Sequence, residues 1–213
     1  MSQYRYIRHL IESYPILEIC MEEIEKAVIF LIQCYERGGK VLVCGNGGSS
    51  ADSDHIVGEL MKGFLKKRPL QDDVKSVLID KYGEEGRTLG EHIQRGLPAL
   101  NLSAHTALVS AFGNDVGSDY SFAQQVLGYG RGGDILIGIS TSGNASNVVF
   151  AAMAAGAAGL TSIGLTGRTG GRMLPYYDVC ICVPAESTPR VQELHLPVYH
   201  ALCVEVEEYF FPL

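Results

Sequence analysis

VLVCGNGGSSADSDH, residues 41–55, runs from an unbroken apolar stretch into glycines and hydroxyls and ends on an acid and an imidazole. A chain that leaves its core through residues almost without side chains is making room at its backbone. Gly45-Asn46-Gly47-Gly48 removes Cβ atoms, and Ser49 opens what reads as a helix whose first N–H groups lack intrahelical partners. Such a turn is a seat for an anion. In isolation, an ordinary strand-to-helix turn with a serine cap would look the same. The spacing matches neither G-x-G-x-x-G nor a P-loop, which counts against dinucleotides and nucleoside triphosphates.

A second turn of the same kind lies in DILIGISTSGNASNVVFAAMAA, residues 134–155, with Ser140, Thr141, Ser142, Gly143 and Ser146 around the junction. Four hydroxyls and free backbone donors at one helix start can surround a phosphate without Lys or Arg, whereas capping needs only one or two of them. The third glycine-rich stretch, GLTGRTGGRM (164–173), reads as a loop.

Outward from these turns, KVLVC (40–44), PALNL (98–102), DILIGI (134–139), TSIGL (161–165) and DVCICV (178–183) are short β-branched apolar runs separated by helix-length segments. Apolar on both faces and alternating with helices, they read as a doubly wound α/β fold with a five-stranded parallel sheet. In that architecture ligands sit at the carboxyl ends of strands, so both turns are expected on one rim, gripping a phosphate or phosphosugar. Helical patterns over about 3–12 and 16–37 precede the first strand, the second ending at Gly38-Gly39. It is apolar over more than one face and wants a partner, in this subunit or another. Residues 66–96 are highly charged and read as an insertion of one or two exposed helices.

Composition bounds the rest. With 213 residues, 46% hydrophobic content and no Trp, the chain is expected to form a single domain over 1–213, with 1–38 as an N-terminal helical part. The formal charge of −7 offers no broad positive face for nucleic acid or an anionic membrane. MSQYRYIRHLIESYP at the Met1 end has no long apolar run, which argues against a signal peptide or membrane span and for a cytoplasmic protein. The six cysteines lie mostly within apolar runs with no C-x-x-C pair, and read as buried free thiols.

His55 and Glu59 are four apart on the helix that starts at the first turn, so they share a face beside the ligand. Spacing alone equally describes a chance pair of His and solvated Glu.

CGNGGSSADSDH (44–55), GISTSGN (138–144), GLTGRTGG (164–171) and RVQELHLPVYH (190–200), in this order, resemble the SIS (sugar isomerase) domain family, with the greatest likeness to phosphoheptose isomerases. The resemblance implies a homotetramer joined through N-terminal helices, and interconversion of sedoheptulose 7-phosphate with D-glycero-D-manno-heptose 7-phosphate. It implies Zn²⁺ held by His55, Glu59, Gln192 and His200, with Glu59 as base and His200 as partner acid. Ser49, Ser140, Thr141 and Ser142 would anchor the phosphate, and Asn46, Gly47 and Asp115 the sugar hydroxyls. Asp115 in GNDVGSD could equally be a turn cap. Gln192 and His200 are eight apart, roughly 12 Å of helix and 80° of rotation, so their convergence rests on length and on a bend at Pro197. His195, three residues from Gln192, is the simpler helical partner.

Three departures from the family pattern bear on substrate identity. Ala145 stands where a serine follows S-T-S-G-N, with Ser146 next; Pro189 replaces an Asp before the Arg; and the 66–96 insertion has no counterpart in compact members. The family also contains a regulator that binds the replication initiator and lacks the acid and histidine kept here as Glu59 and His200. A phosphosugar sensor without chemistry is a further alternative.

Overall fold

The computed structural model describes residues 2–212. Five strands, β1 (Val41–Gly45), β2 (Ala99–Asn101), β3 (Ile135–Ser140), β4 (Thr161–Gly167) and β5 (Val179–Val183), form one all-parallel sheet in the order β2-β1-β3-β4-β5. All five sit where the apolar runs placed them. β1 and β3 are buried on both faces because side chains alternate between two separate cores. Val41, Val43, Ile135, Ile137 and Ile139 face one core with helices α1 (Arg5–Ser13), α2 (Met21–Glu36), α3 (Gly48–Met61) and α8 (Thr188–Phe210). Leu42, Cys44 and Leu136 face the other, under α6 (Ser121–Tyr129) and α7 (Ser146–Ala157). α5 (Thr106–Phe112) follows β2 at the edge.

This strand order reverses between β1 and β3, and α3 and α7 leave the two strands toward opposite faces. The crevice beyond their carboxyl ends is where a doubly wound sheet binds ligands.

The expected helix over 16–37 is two elements: a 3-10 stretch, Pro15–Cys20, and then α2. Pro15 at the first position favours the tighter start. α2 packs on β5 and α8, yet Ile16, Ile19 and Ile29 of this N-terminal region stay exposed. Four cysteines are buried, and all six are free; Cys180 and Cys182 on β5 are only half-buried.

The segment expected as an exposed insertion is α4 (Asp72–His92), broken at Gly83, whose φ of +59° reverses the chain. The second half folds back on the first: Gly86 lies so close to the Leu78 carbonyl that a Cβ would collide with it, and Gly90 packs on Lys75 and Leu78. An isolated antiparallel bridge between Pro69 and Gln94 closes the hairpin's base. Arg68, within 66–96, is fully buried, unlike the exposed helices expected of that segment. Among the described residues, no helix is long and apolar enough to cross a membrane.

Candidate active site at the strand exits

The two glycine turns lie side by side. Asn46 in the first and Asn147 at the start of α7 exchange a reciprocal pair of amide hydrogen bonds, 2.9 Å each way. α3 and α7 therefore present their N-termini to the same space. Neither helix has a side-chain cap: Gly47 and Ala145 occupy the capping positions. The simple capping account of these turns thus fails: Ser49 and Ser50 donate to the Asn46 and Gly47 carbonyls at 3.0 Å, and the N–H groups of Gly48 on α3 and of Ser146 and Asn147 on α7, which have no described acceptor, are the ones left for a ligand. Ser49 and Ser140 are buried against the turns, Thr141 is half-buried, and Ser142 is exposed, its Oγ accepting from the Asn144 amide at 3.2 Å. Ala145, at the N-cap of α7, supplies no hydroxyl, and its neighbour Ser146 carries one.

The third glycine-rich stretch is more than the loop its sequence suggested. β4 ends within it, and its remainder, leading into a 3-10 stretch over Gly171–Tyr176, packs against the second turn: the Met173 amide donates to the Gly143 carbonyl at 2.9 Å, and a Cβ on Gly143 would run into the Gly170 carbonyl. This contact brings Arg172 to the rim, where Nη1 donates to Ser146 Oγ at 3.2 Å and the backbone N–H donates to Asn144 Oδ1 at 3.1 Å. A guanidinium thus stands beside the candidate phosphate seat, contrary to the expectation of a seat built without Arg. No local spacing signalled it.

α8 runs alongside α3 and pairs with it level by level. At the first turn of α3, Gln192 lies directly over Gly48, where any Cβ would strike its amide. Two turns on, about 10 Å along α3, His55 meets Tyr199 and His200. α8 continues through Pro197 as one helix. Gln192 thus touches the start of α3 and His200 touches His55, and no described contact joins Gln192 to the His55, Glu59 and His200 group. Pro189 sits in the first turn of α8, where a missing N–H costs nothing.

Around His55 the polar groups form a continuous set. His55 Nε2 is 3.2 Å from Glu59 Oε1 and 3.4 Å from His200 Nε2. Lys62 Nζ is 2.9 Å from the other Glu59 oxygen. Tyr199 Oη donates to Asp52 Oδ1 at 3.3 Å and lies 3.0 Å from His55 Nδ1. With its proton committed to Asp52, Tyr199 accepts from Nδ1–H, and in a neutral ring this leaves His55 Nε2 bare toward Glu59 and His200. Glu59 is 9% exposed, deep enough to be shielded and still reachable. Partial burial holds the His200 imidazole below its ordinary pKa, reinforced by His55. Phe64 covers His200 edge-on at 5.3 Å between ring centroids. Lys62, Asp52 and Tyr199 were missed from sequence; only Lys62 carried a signal, three residues after Glu59.

His195, the alternative partner, is fully buried on the sheet side of α8 with Nε2 3.3 Å from the Thr166 carbonyl, and burial pushes its pKa down to about 4. It does not face the site. Asp115 lies in an exposed π-type turn, Gly113–Gly117, and its carboxylate accepts from Asn114 Nδ2 at 2.9 Å. No described contact joins it to the Glu59 group.

A model of the SIS domain matches residues 4–83 and 85–167. The chain belongs to the SIS-domain family. Among curated relatives, it is 39% identical over 188 residues to the phosphoheptose isomerase of Aneurinibacillus thermoaerophilus, covering 88% of this chain and 82% of that one. It is 36% identical over 210 residues to the phosphoheptose isomerase of Helicobacter pylori strain P12, covering 99% and 96%. Among solved structures, the phosphoheptose isomerase from Neisseria gonorrhoeae superposes with a TM-score of 0.72 at 33% identity, covering 94% of this chain and 96% of that one. The SIS model therefore spans both glycine turns and the α3 members of the Glu59 cluster and ends before α8.

The donor atoms around His55 also bear on metal binding. A lone pair 3.2 Å from a carboxylate needs a proton or a cation between them, and two donors bound to one tetrahedral zinc stand about 3.3 Å apart. By donor chemistry and pair spacing the His55, Glu59 and His200 set fits such an ion. Among the described residues no three His, Cys, Asp or Glu side chains are already closed around a point, since both short contacts share the single His55 nitrogen.

Proposed function

We propose that this chain is an aldose–ketose isomerase of the phosphoheptose isomerase type, interconverting sedoheptulose 7-phosphate and D-glycero-D-manno-heptose 7-phosphate through a cis-enediol. One observation carries the reading: two helix N-termini without side-chain caps are tied by the Asn46–Asn147 pair, and one of these helices, α3, carries Glu59 two to three turns on, where His55 meets His200. Two turns of α3 separate the anion seat from His55, which suits a substrate that carries its phosphate at the opposite end from C1 and C2.

The phosphate would bind the N–H groups of Gly48, Ser146 and Asn147 with Ser49, Ser140, Thr141, Ser142 and Arg172, and Gln192, Asn46 and Gly47 would hold hydroxyls near it. Binding energy spent there orients the reacting carbons. Glu59 would carry the proton between C2 and C1, and His200, kept neutral by its surroundings, would protonate and deprotonate the neighbouring oxygen. Asp52 and Tyr199 fix the His55 ring. The residues that would hold a zinc ion are His55, Glu59, Gln192 and His200, and when bound it would polarise the carbonyl and hydroxyl oxygens. We place the protein in the cytoplasm as a homotetramer; the exposed Ile16, Ile19 and Ile29 of the N-terminal region, which a second copy would cover, support the association.

The test is exchange of a C1 hydrogen of sedoheptulose 7-phosphate in deuterated water. Wild type should exchange and isomerise; Glu59→Gln should lose both by a factor of 10³ or more while still binding the phosphosugar. A wild-type protein that binds the sugar phosphate without any exchange is a sensor, and the isomerase reading is then wrong.

A further inference from the structure

The groups that surround Glu59 and His200 are held by an ion pair outside the reacting set. α3 ends at Met61, so its last carbonyls have no helical donor. Arg68 supplies one: Nη2 donates to the Glu59 carbonyl at 3.0 Å and Nη1 to the Leu60 carbonyl at 2.6 Å. Its Nε donates to Glu207 Oε1 at 2.8 Å, and both side chains are buried, at 0% and 1% exposure. Glu207 also accepts from the backbone N–H groups of Phe64 (2.8 Å), Leu65 (2.7 Å) and Lys66 (3.2 Å). It lies on α8 seven residues after His200, two turns along nearly the same face. One carboxylate on the His200 helix thereby gathers the chain just past Glu59, and one guanidinium returns from it to the backbone of Glu59 itself. The same grip sets Phe64, whose amide is tied to Glu207 and whose ring covers His200.

We propose that Arg68 and Glu207 are positioning residues for the isomerisation, locking the Glu59 end of α3 to α8 and so fixing Glu59 and Phe64 relative to His200. A buried ion pair is weak evidence for stability in its own right, because desolvation offsets the attraction. Here every other recorded hydrogen bond of the pair goes to backbone adjoining the reacting groups, which is a use that apolar side chains of the same size cannot imitate. The inference rests on the isomerase reading for its kinetic consequence and on geometry alone for its structural one.

The experiment compares wild type, Arg68→Lys, Glu207→Gln and the double variant Arg68→Met/Glu207→Leu, which removes the pair without stranding a buried charge. Each is followed by kcat and KM for sedoheptulose 7-phosphate, thermal midpoint, and ¹⁵N-histidine spectra in the presence of chelator. In Arg68→Lys and in the double variant, kcat should fall tenfold or more while KM stays within about twofold, because the phosphate turns are untouched. The His55 and His200 signals should shift and the His195 signal should not. If the double variant regains the wild-type midpoint together with wild-type kcat, or the histidine spectra are unchanged, the pair is only structural and the proposal is overturned. Wild-type protein without turnover would sink the isomerase reading instead, and the histidine shifts would still decide the clamp.

Discussion

His195 offers a quantitative test of how α8 divides its histidines. Its imidazole is fully buried, donates from Nε2 toward the Thr166 carbonyl, and leaves Nδ1 without a partner, so burial lowers its pKa from 6.5 to about 4. Between those values the unfolded chain binds a proton that the folded protein refuses, so stability falls as pH falls. At pH 7 both states are mostly neutral and little is lost. At pH 5 the unfolded histidine is almost fully charged while the buried one is about 10% charged, a loss of about 2 kcal/mol, rising to about 3 kcal/mol by pH 4. His195→Gln keeps a donor for Thr166 and abolishes the titration. Urea unfolding of both proteins at pH 7, 6 and 5, at one fixed concentration and with chelator, isolates this group because all other titrations cancel. The variant should be less stable than or equal to wild type at pH 7 and gain about 2 kcal/mol on it by pH 5. Parallel pH curves for the two proteins would refute the assignment of His195 as a neutral core residue.

Arg172→Ala should raise KM for the sugar phosphate about tenfold and lower kcat far less, since its guanidinium stands at the phosphate seat and not at the Glu59 end; steady-state kinetics read the split. Gly143→Ala should cost 1–3 kcal/mol in denaturant unfolding, because its φ of +67° is strained for alanine and the added Cβ meets the Gly170 carbonyl. The same substitution should weaken phosphate binding by prising the Arg172 stretch off the second turn.

Much of this protein was legible along the chain because its signals are local. Apolar runs on both faces of short strands, interrupted by helix-length segments, specify a parallel sheet, and glycines at two strand exits specify where the backbone approaches a ligand. His55 and Glu59 were readable from helical spacing, since one turn places them together whatever the rest does. The order β2-β1-β3-β4-β5 and the lateral meeting of the two turns were not, because strand neighbours are chosen by packing across the whole sheet. Arg172 reaches the rim only because a loop folds onto another loop, and Arg68 enters the core only because Glu207, 139 residues away, awaits it there.

α8 shows the division most plainly. Its sequence carries Gln192, His195 and His200 with equal claims, and helical periodicity alone groups Gln192 with His195. Docking against α3 assigns the three to different tasks: Gln192 over the first turn, His195 into the sheet, His200 onto His55. The sequence by itself determined which elements form and which residue types were available at the strand exits. Tertiary structure decided which of them meet, because a side chain's neighbour across two packed helices depends on their relative register, and that register is set by the core as a whole.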